Sequence, residues 1–170
     1  MRHAVVALAL LVVACSSRSP EGRDSVSTPA PDLSVDSVTP VVTLERTPCF
    51  GTCPVYKVSI FENGTVRFSG KQHVAQQGTA TASIPSEAVD SLAGELEAGG
   101  YFGFADDYVL DAPACGQYAT DSPTVTTSLT MNGRSKRIRH DYGCSAAPPE
   151  LRRLEQRIDE VAGTSRWTGR

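Results

Sequence analysis

The chain has 170 residues, of which 40% are apolar, 21% are charged and 6% are aromatic, and its formal net charge is −3. This length suffices for one domain with an appendage but not for two full domains. The near balance of 16 basic and 19 acidic residues offers no electrostatic case for binding nucleic acid. The composition excludes a collagen-like or broadly disordered chain, but it does not identify a biochemical activity.

The N-terminus has the pattern of a secretory signal. A basic start, Met1-Arg2-His3, precedes an uninterrupted apolar run over residues 4–14, which is too short to cross a bilayer. The run ends at Val12-Val13-Ala14-Cys15, which resembles the lipobox of bacterial lipoproteins. The resemblance implies that residues 1–14 are a signal peptide, and that Cys15 carries a diacylglyceryl group and, as on palmitoylated lipoproteins, an acylated amine. An ordinary signal that leaves Cys15 as a free thiol is the alternative.

This lipobox predicts attachment to the membrane of a bacterial cell envelope. Several acyl chains on one residue meet the requirement that stable anchoring takes more than one chain. Ser16 follows the cysteine where lipoproteins retained at an inner membrane often have Asp. The resemblance therefore favours the outer membrane in a cell that has one.

The chain after Cys15 predicts a tether and then one domain. Residues 16–40 contain Ser, Pro, Thr and Asp without an aromatic residue, so they bury too little surface to offset the entropy of ordering. As a flexible coil this segment spans about 25–30 Å. We therefore expect a lipidated cysteine and disordered tether over residues 15–40 and a single globular domain over residues 41–170.

Two β-hairpins are predicted within the domain. Alternating runs at residues 55–61 and 65–68 flank Asn63-Gly64, a pair that favours a type I′ turn. Similar runs at residues 124–131 and 134–140 flank Asn132-Gly133, and a further strand is expected at residues 79–84. The side chains expected to face the core are Tyr56, Val58, Ile60, Val66, Phe68, Val125, Leu129, Met131 and Ile138.

A helix is predicted after each hairpin. The first begins near Ser86 as its N-cap and ends at Gly99-Gly100, and the second begins near Pro148-Pro149 and ends at Gly163. Their apolar stripes are Val89, Leu92 and Leu96 in the first, and Leu151, Leu154, Ile158 and Val161 in the second. Large aromatic residues follow each helix, Tyr101-Phe102 and Trp167. These elements predict an α+β domain in which two helices cover one face of an antiparallel sheet, and the repeated order suggests a pseudo-duplication.

Four cysteines other than Cys15 predict two disulfides in an exported domain: Cys49, Cys53, Cys115 and Cys144. Three connectivities exist, and we favour Cys49–Cys53 with Cys115–Cys144 because Gly51, between two prolines, allows a tight loop. The competing interpretation is a thiol-redox pair at Cys49 and Cys53. Pro54 and a predicted strand follow Cys53, so no helix N-terminus is available to lower a thiol pKa. A zinc site is disfavoured because no second ligand pair has the required spacing.

The segment Cys49-Phe-Gly-Thr-Cys-Pro-Val-Tyr56, with Asn63-Gly64 and Gly70 after it, resembles a domain family of unknown function found largely in bacterial secreted lipoproteins. The resemblance continues through residues 120–123 and Asn132-Gly133 to the last helix. It implies export and a cysteine pair at Cys49 and Cys53, and it assigns no activity.

Other residues that carry chemistry have simpler structural interpretations. Asp106, Asp107, Asp111 and Asp121 lie close in sequence, but their spacing does not match a calcium-binding loop. His140 beside Asp141 has the order of an oriented base without an evident nucleophile, so a partly buried structural histidine is favoured; His73 is the other histidine of the domain. The basic strand with Arg134, Lys136, Arg137 and Arg139 is expected to protect a sheet edge, with an anionic-ligand site as the alternative.

Two functional hypotheses remain. The first is a non-catalytic, lipid-anchored envelope protein that binds or scaffolds a protein or glycan, without metal or cofactor. The second is an exported thiol-redox protein that uses Cys49 and Cys53. A hydrolase is disfavoured because no catalytic constellation is visible in the sequence.

Overall fold

The computed structural model describes residues 39–170. The predicted signal peptide, the lipidated Cys15 and the tether up to residue 38 lie outside the described residues, and they stay predictions. None of the helices within residues 39–170 is long and apolar enough to cross a membrane.

The described residues form one seven-stranded sheet with helices on one face. The strand order is β4-β3-β2-β1-β6-β7-β5, and every neighbouring pair is antiparallel except β5 and β7. The strands are β1 Val42–Arg46, β2 Val55–Ile60, β3 Thr65–Gln72, β4 Gly78–Ser83, β5 Asp107–Tyr108, β6 Thr124–Met131 and β7 Arg134–Asp141. The helices are α1 Ser86–Ala98, α2 Pro149–Ala162 and α3 Ser165–Thr168, with a 3-10 turn at Tyr101–Gly103. The α+β fold is confirmed.

The two predicted hairpins are β2-β3 and β6-β7, and the further strand is β4. The central strand of the sheet, β1, was not predicted, although the domain was expected to begin at Val41. Its Val42 and Leu44 are fully buried opposite Ile60 and Val58 of β2. Because β1 has only these two apolar residues, it shows too little alternation to be read as a strand.

The core lies between the sheet and the helices. Most of the predicted inward residues are buried, and only Met131 and Val161 are half-buried. The polar Thr127 is also fully buried. Its hydroxyl forms a hydrogen bond of 2.7 Å with the Tyr101 hydroxyl, which offsets the cost of burying it. Trp167 stacks on Phe68 with ring centroids 4.8 Å apart, which packs α3 against β3.

Two local predictions were wrong. In the first hairpin the turn is not type I′, because only Gly64 of the Asn-Gly pair has a positive φ (81°). Phe61 instead closes a three-residue loop by a bond from its N–H to the Thr65 carbonyl. Ser86 is the first residue of α1, and Pro85 occupies the N-cap without a side-chain bond.

The second hairpin has the predicted turn, with positive φ at both Asn132 (52°) and Gly133 (71°). The two hairpin-helix units nevertheless do not superimpose. Strands β2 and β6 both run antiparallel to β1, so they run in the same direction, while β3 and β7 lie on opposite outer sides. Both helices pack on the same face, so no rotation maps one unit onto the other. The suggested repeat therefore remains a resemblance in chain order.

Candidate functional site at the disulfide end of the sheet

Both disulfides lie at one end of the sheet, which we call the disulfide end. The pairing of Arg46 with Tyr56 and Val125, and of Thr124 with Asp141, places the end of β1, the starts of β2 and β6 and the end of β7 at this same end. The loops that leave these strands contain all four cysteines of the domain. The antiparallel topology thus brings together segments that are distant in sequence.

The favoured connectivity is the one that the structure has. Cys49 and Cys53 are bonded with their Cα atoms 5.7 Å apart, and Cys115 and Cys144 with theirs 4.6 Å apart. The second bond is buried, since Cys115 is 3% exposed and Cys144 is 6% exposed. The first bond is half-buried, so solvent reaches it more easily.

The Cys49–Cys53 loop presents an aromatic side chain to solvent. Phe50 is 88% exposed, although its backbone N–H donates to the Asp121 carbonyl at 3.1 Å. Thr47, between β1 and this loop, holds the start of the loop in place. Its N–H donates to the Thr124 carbonyl, and its hydroxyl accepts from the Thr124 N–H at 2.8 Å. A short covalent ring and these bonds therefore hold Phe50 outward on an ordered backbone.

A partly buried ion pair lies below this loop, between the last residue of β1 and α2. Arg46 donates from Nη2 to Asp159 at 2.6 Å and from Nε at 3.0 Å. The side chains of Arg46 and Asp159 are 15% and 18% exposed. The Tyr56 hydroxyl accepts from Arg46 at 3.0 Å and donates to Asp159 at 2.6 Å, and Thr164 donates to the same carboxylate at 3.0 Å. Every polar atom of the two charged groups thus has at least one partner.

The network continues to a second carboxylate, which is fully buried. Arg46 donates from Nη1 to the Tyr142 hydroxyl at 3.1 Å, which donates to Glu155 at 2.8 Å. The other oxygen of Glu155 lies 2.8 Å from Nδ1 of His140, and these two side chains are 1% and 3% exposed. The hydrogen bonds therefore link β1, β7 and α2 through one continuous chain of polar groups.

The electrostatics of this network favour its present protonation state. Burial acts to lower the pKa of Arg46, but the charge of Asp159 and the phenols of Tyr142 and Tyr56 raise it above its ordinary value. Burial raises the pKa of Tyr142 to about 12. Burial and Asp159 also raise the pKa of Tyr56. Arg46 therefore stays charged and both phenols stay protonated at neutral pH.

Two cavities flank the network. One, of about 400 Å³, is lined by Arg46, Tyr56 and Asp159 together with α3. The other, of about 470 Å³, is lined by His140, Tyr142 and the N-terminal part of α2. Within residues 39–170 no buried side-chain nitrogen or oxygen lacks a hydrogen-bond partner. Full hydrogen bonding of this kind is typical of polar groups that stabilise the fold, because no buried polar atom is left unpaired for a ligand to bind.

Three of the four sequence-predicted acidic residues, Asp106, Asp107 and Asp111, line one cavity beside Arg139, but they do not form a metal site. Asp106 pairs with Lys136 and Asp107 pairs with Arg139, both at 2.6 Å. Asp121 has a positive φ (71°) and accepts from the Thr120 hydroxyl. No group of three His, Cys, Asp or Glu side chains in the described part of the chain is arranged to hold a metal ion.

The histidines and the basic strand have structural positions. His140 is a structural histidine, as favoured, but it is fully and not partly buried; its carboxylate partner is Glu155 and not the neighbouring Asp141, whose side chain accepts from the Gly143 N–H. His73 has a positive φ (52°) just beyond β3. The basic strand is β7, and it lies near the sheet edge, with only the two-residue β5 outside it. Its Arg134 reaches Glu97 at 3.4 Å, so three of the four cations on the strand contact carboxylates.

Sequence reasoning missed the buried network itself. One signal was present: Glu155 is an acidic residue on the apolar stripe of α2, between Leu151 and Ile158. An acid at such a position needs a buried partner, which a sequence alone does not name. Arg46 and Asp159 are separated by 113 residues and gave no local pattern.

A family model matches this chain, whereas comparison with curated proteins gives no match. The match is a domain of unknown function, DUF6438, and it covers residues 40–162. These residues contain β1 to β7, both long helices and both disulfides. The chain therefore belongs to the DUF6438 family.

Proposed function

We propose that this chain is a lipid-anchored protein of the bacterial cell envelope whose DUF6438 domain binds an envelope protein or glycan, without catalysis, through the Phe50 loop (residues 49–53). The observation that carries the binding role is Phe50, an aromatic side chain 88% exposed at the tip of a disulfide-closed ring. An exported location is supported by the two disulfides, because such bonds persist in oxidising compartments.

The Phe50 loop has the physical properties of a binding element. An aromatic ring that leaves water contributes a large apolar area, and aromatic residues are enriched among the side chains that dominate binding energy. Ordering a flexible loop on binding costs free energy, and the disulfide and the bond to Asp121 reduce that cost in advance. Phe50 therefore offers apolar area at low entropic cost.

The binding role is tested by site-specific photo-crosslinking in cells that make the full chain. A photoreactive residue replaces Phe50 in one sample and Leu110 in the control, because Leu110 is the other large exposed apolar side chain within residues 39–170, at 56%. We expect a crosslink to one envelope component from position 50 and none to it from position 110. The purified component should bind the full chain with an affinity that Phe50→Ser lowers by about tenfold or more, while Leu110→Ser leaves it unchanged. Equal crosslinking from both positions, or an unchanged affinity of Phe50→Ser, contradicts the proposal.

The lipid anchor is tested separately at Cys15. We expect the N-terminal peptide of the mature chain to begin at this residue and to carry the added mass of its acyl chains. Cys15→Ser should remove that mass and release the chain from the membrane fraction. A membrane-bound Cys15→Ser chain, or a mature chain with an unmodified Cys15, contradicts the anchor without affecting the binding role.

A thiol-redox function is the second candidate, and the burial difference between the disulfides favours it. Cys49–Cys53 is half-buried whereas Cys115–Cys144 is buried. Non-reducing peptide mapping after graded reduction and alkylation separates the two functions. If both bonds resist mild reductant, they are structural. If Cys49 and Cys53 label readily while the other pair stays closed, the result supports the redox function. It also contradicts the binding proposal, which needs a rigid loop closed by this disulfide.

A further inference from the structure

The two edges of the sheet differ in how they are protected. At one edge, β7 carries four cations and is followed only by the two-residue β5. At the other edge, β4 has the sequence Gly-Thr-Ala-Thr-Ala-Ser, without a charge, a proline or a register shift against β3. Charges, prolines and bulges are the usual means of preventing an edge strand from pairing with another chain. The β4 edge has none of them.

Hydrogen bonding shows which groups of β4 face outward. Ile84, just after the strand, donates its N–H to the Gly64 carbonyl on the β3 side. Because the direction of backbone groups alternates along a strand, Ala80 and Ala82 face β3, and Thr79, Thr81 and Ser83 direct their N–H and C=O groups outward. No backbone bond from these three residues to another part of the described chain is formed. Their side chains are all exposed.

The outward groups are self-complementary. An antiparallel copy of β4 centred on Thr81 places Thr81 opposite Thr81, Thr79 opposite Ser83, and Ala80 opposite Ala82. In this register the three outward residues of each copy meet the three of the other, which allows six backbone hydrogen bonds across the seam. Hydroxyl side chains lie opposite hydroxyl side chains on one face, and methyl groups lie opposite methyl groups on the other, which are favourable or neutral pairs.

We propose that β4 is a self-association edge, at which a second copy of this chain pairs antiparallel through Thr79, Thr81 and Ser83 to form a two-fold dimer. A closed two-fold contact uses the same patch on both copies, as this register does. A six-residue seam is far smaller than the 20–30 residues per side of a stable interface. The dimer is therefore weak and reversible, with a dissociation constant on the order of 0.1–1 mM. This inference does not rest on the proposed binding function of the Phe50 loop.

Disulfide trapping tests the register. The full chain carries Cys15→Ser in every sample, so the introduced cysteine is the only free thiol. Residues opposite each other in a hydrogen-bonded antiparallel pair have Cα atoms about 5.5 Å apart, within the range of a disulfide. Thr81→Cys should therefore crosslink with itself under mild oxidation. Thr79→Cys should crosslink with Ser83→Cys in a mixture but hardly with itself, because the two copies of residue 79 lie about 14 Å apart.

Charge exchange at the same position tests the association without a crosslink. Thr81 is exposed, so Thr81→Lys and Thr81→Glu leave the fold intact, which circular dichroism checks. Each variant places like charges opposite each other and should raise the dissociation constant severalfold, up to about fivefold. A one-to-one mixture should associate again. The readout is the diffusion coefficient measured by NMR up to about 1 mM protein, far above the lower end of the expected dissociation constant.

The outcomes show whether a second copy of this chain, or a different protein, pairs with the β4 edge. Register-specific crosslinks, with weaker association in each charged variant and recovery in the mixture, support the dimer. Equal self-crosslinking of Thr79→Cys and Thr81→Cys overturns it, because random collision has no register. A diffusion coefficient independent of concentration also overturns it. A crosslink of Thr81→Cys in cells to a different protein, without one to itself, assigns the edge to another chain and overturns the dimer.

Discussion

Removing the carboxylate of Asp159 is the sharpest test of the buried network. Asp159→Ala deletes the acceptor of two bonds from Arg46, one from Tyr56 and one from Thr164. It also leaves the Arg46 guanidinium, only 15% exposed, without its carboxylate. Breaking a buried pair from one side costs about 3–5 kcal/mol, and the residual exposure here places the expected loss near the lower end, at about 3 kcal/mol. That is a large part of the ~5–15 kcal/mol by which a domain is stable.

The measurement is urea unfolding of the full chain with its disulfides intact, followed by far-UV circular dichroism. The matched control is Glu160→Ala on the next residue, whose carboxylate is 66% exposed and lies 3.3 Å from Arg157, so its loss should cost less than about 1 kcal/mol. Arg46→Met combined with Asp159→Leu should recover much of the stability, because no charge is then buried alone. If Asp159→Ala is as stable as Glu160→Ala, or if the double variant is less stable than Asp159→Ala, the network does not have the role assigned to it.

Two further predictions concern the turns and the phenols. Gly64→Ala should destabilise the chain by more than about 3 kcal/mol, whereas Gly133→Ala should cost about 1 kcal/mol in the same unfolding assay. Both positions have positive φ (81° and 71°). A Cβ added at Gly64 would clash with the Ile84 carbonyl oxygen, whereas one added at Gly133 meets nothing within 4 Å. Equal losses of stability in the two variants contradict the steric argument. Stability should also fall as pH rises from about 10 to 12, because the pKa of Tyr142 is raised from 10.0 to about 12 by burial, so the unfolded chain loses this proton first. In Tyr142→Phe the loss of unfolding free energy between pH 10 and 12 should be smaller by on the order of 2 kcal/mol. An unchanged loss refutes the raised pKa of Tyr142 as its cause.

Local patterns predicted the parts of the fold whose contacts are local. The two hairpins and the β4 strand follow from alternation and turn residues, and both helices follow from apolar stripes and terminal glycines. The connectivity of the cysteines was favoured because Gly51, between two prolines, allows a tight loop at Cys49–Cys53, and the structure has the same pairs. The turn at Asn63-Gly64 was predicted wrongly, since the choice between two- and three-residue loops depends on where pairing with β3 begins.

The parts that were missed depend on long-range contacts. The strand β1 has two inward apolar residues, and it becomes the centre of the sheet only because β2 and β6 both pair with it. Arg46 ends this strand, and its partners Asp159 and Tyr142 come from the last third of the chain. No spacing rule connects residues that meet only after the sheet and α2 have packed together.

The hydrogen bonding of the network also supports the proposal that a partner binds at the Phe50 loop and not in the cavities that flank the network. Each hydrogen-bonding group of Arg46 and Asp159 already has a protein partner, so a ligand in the adjacent cavity would have to displace bonds of 2.6–3.0 Å from a partly buried charge pair. Phe50 has no such competitor, because its ring is 88% exposed and its backbone is already fixed. Because β1 runs from Val42 to Arg46, the chain enters the sheet at the end opposite to the loop. A partner that contacts Phe50 therefore approaches the end of the domain that faces away from the entry of the preceding chain.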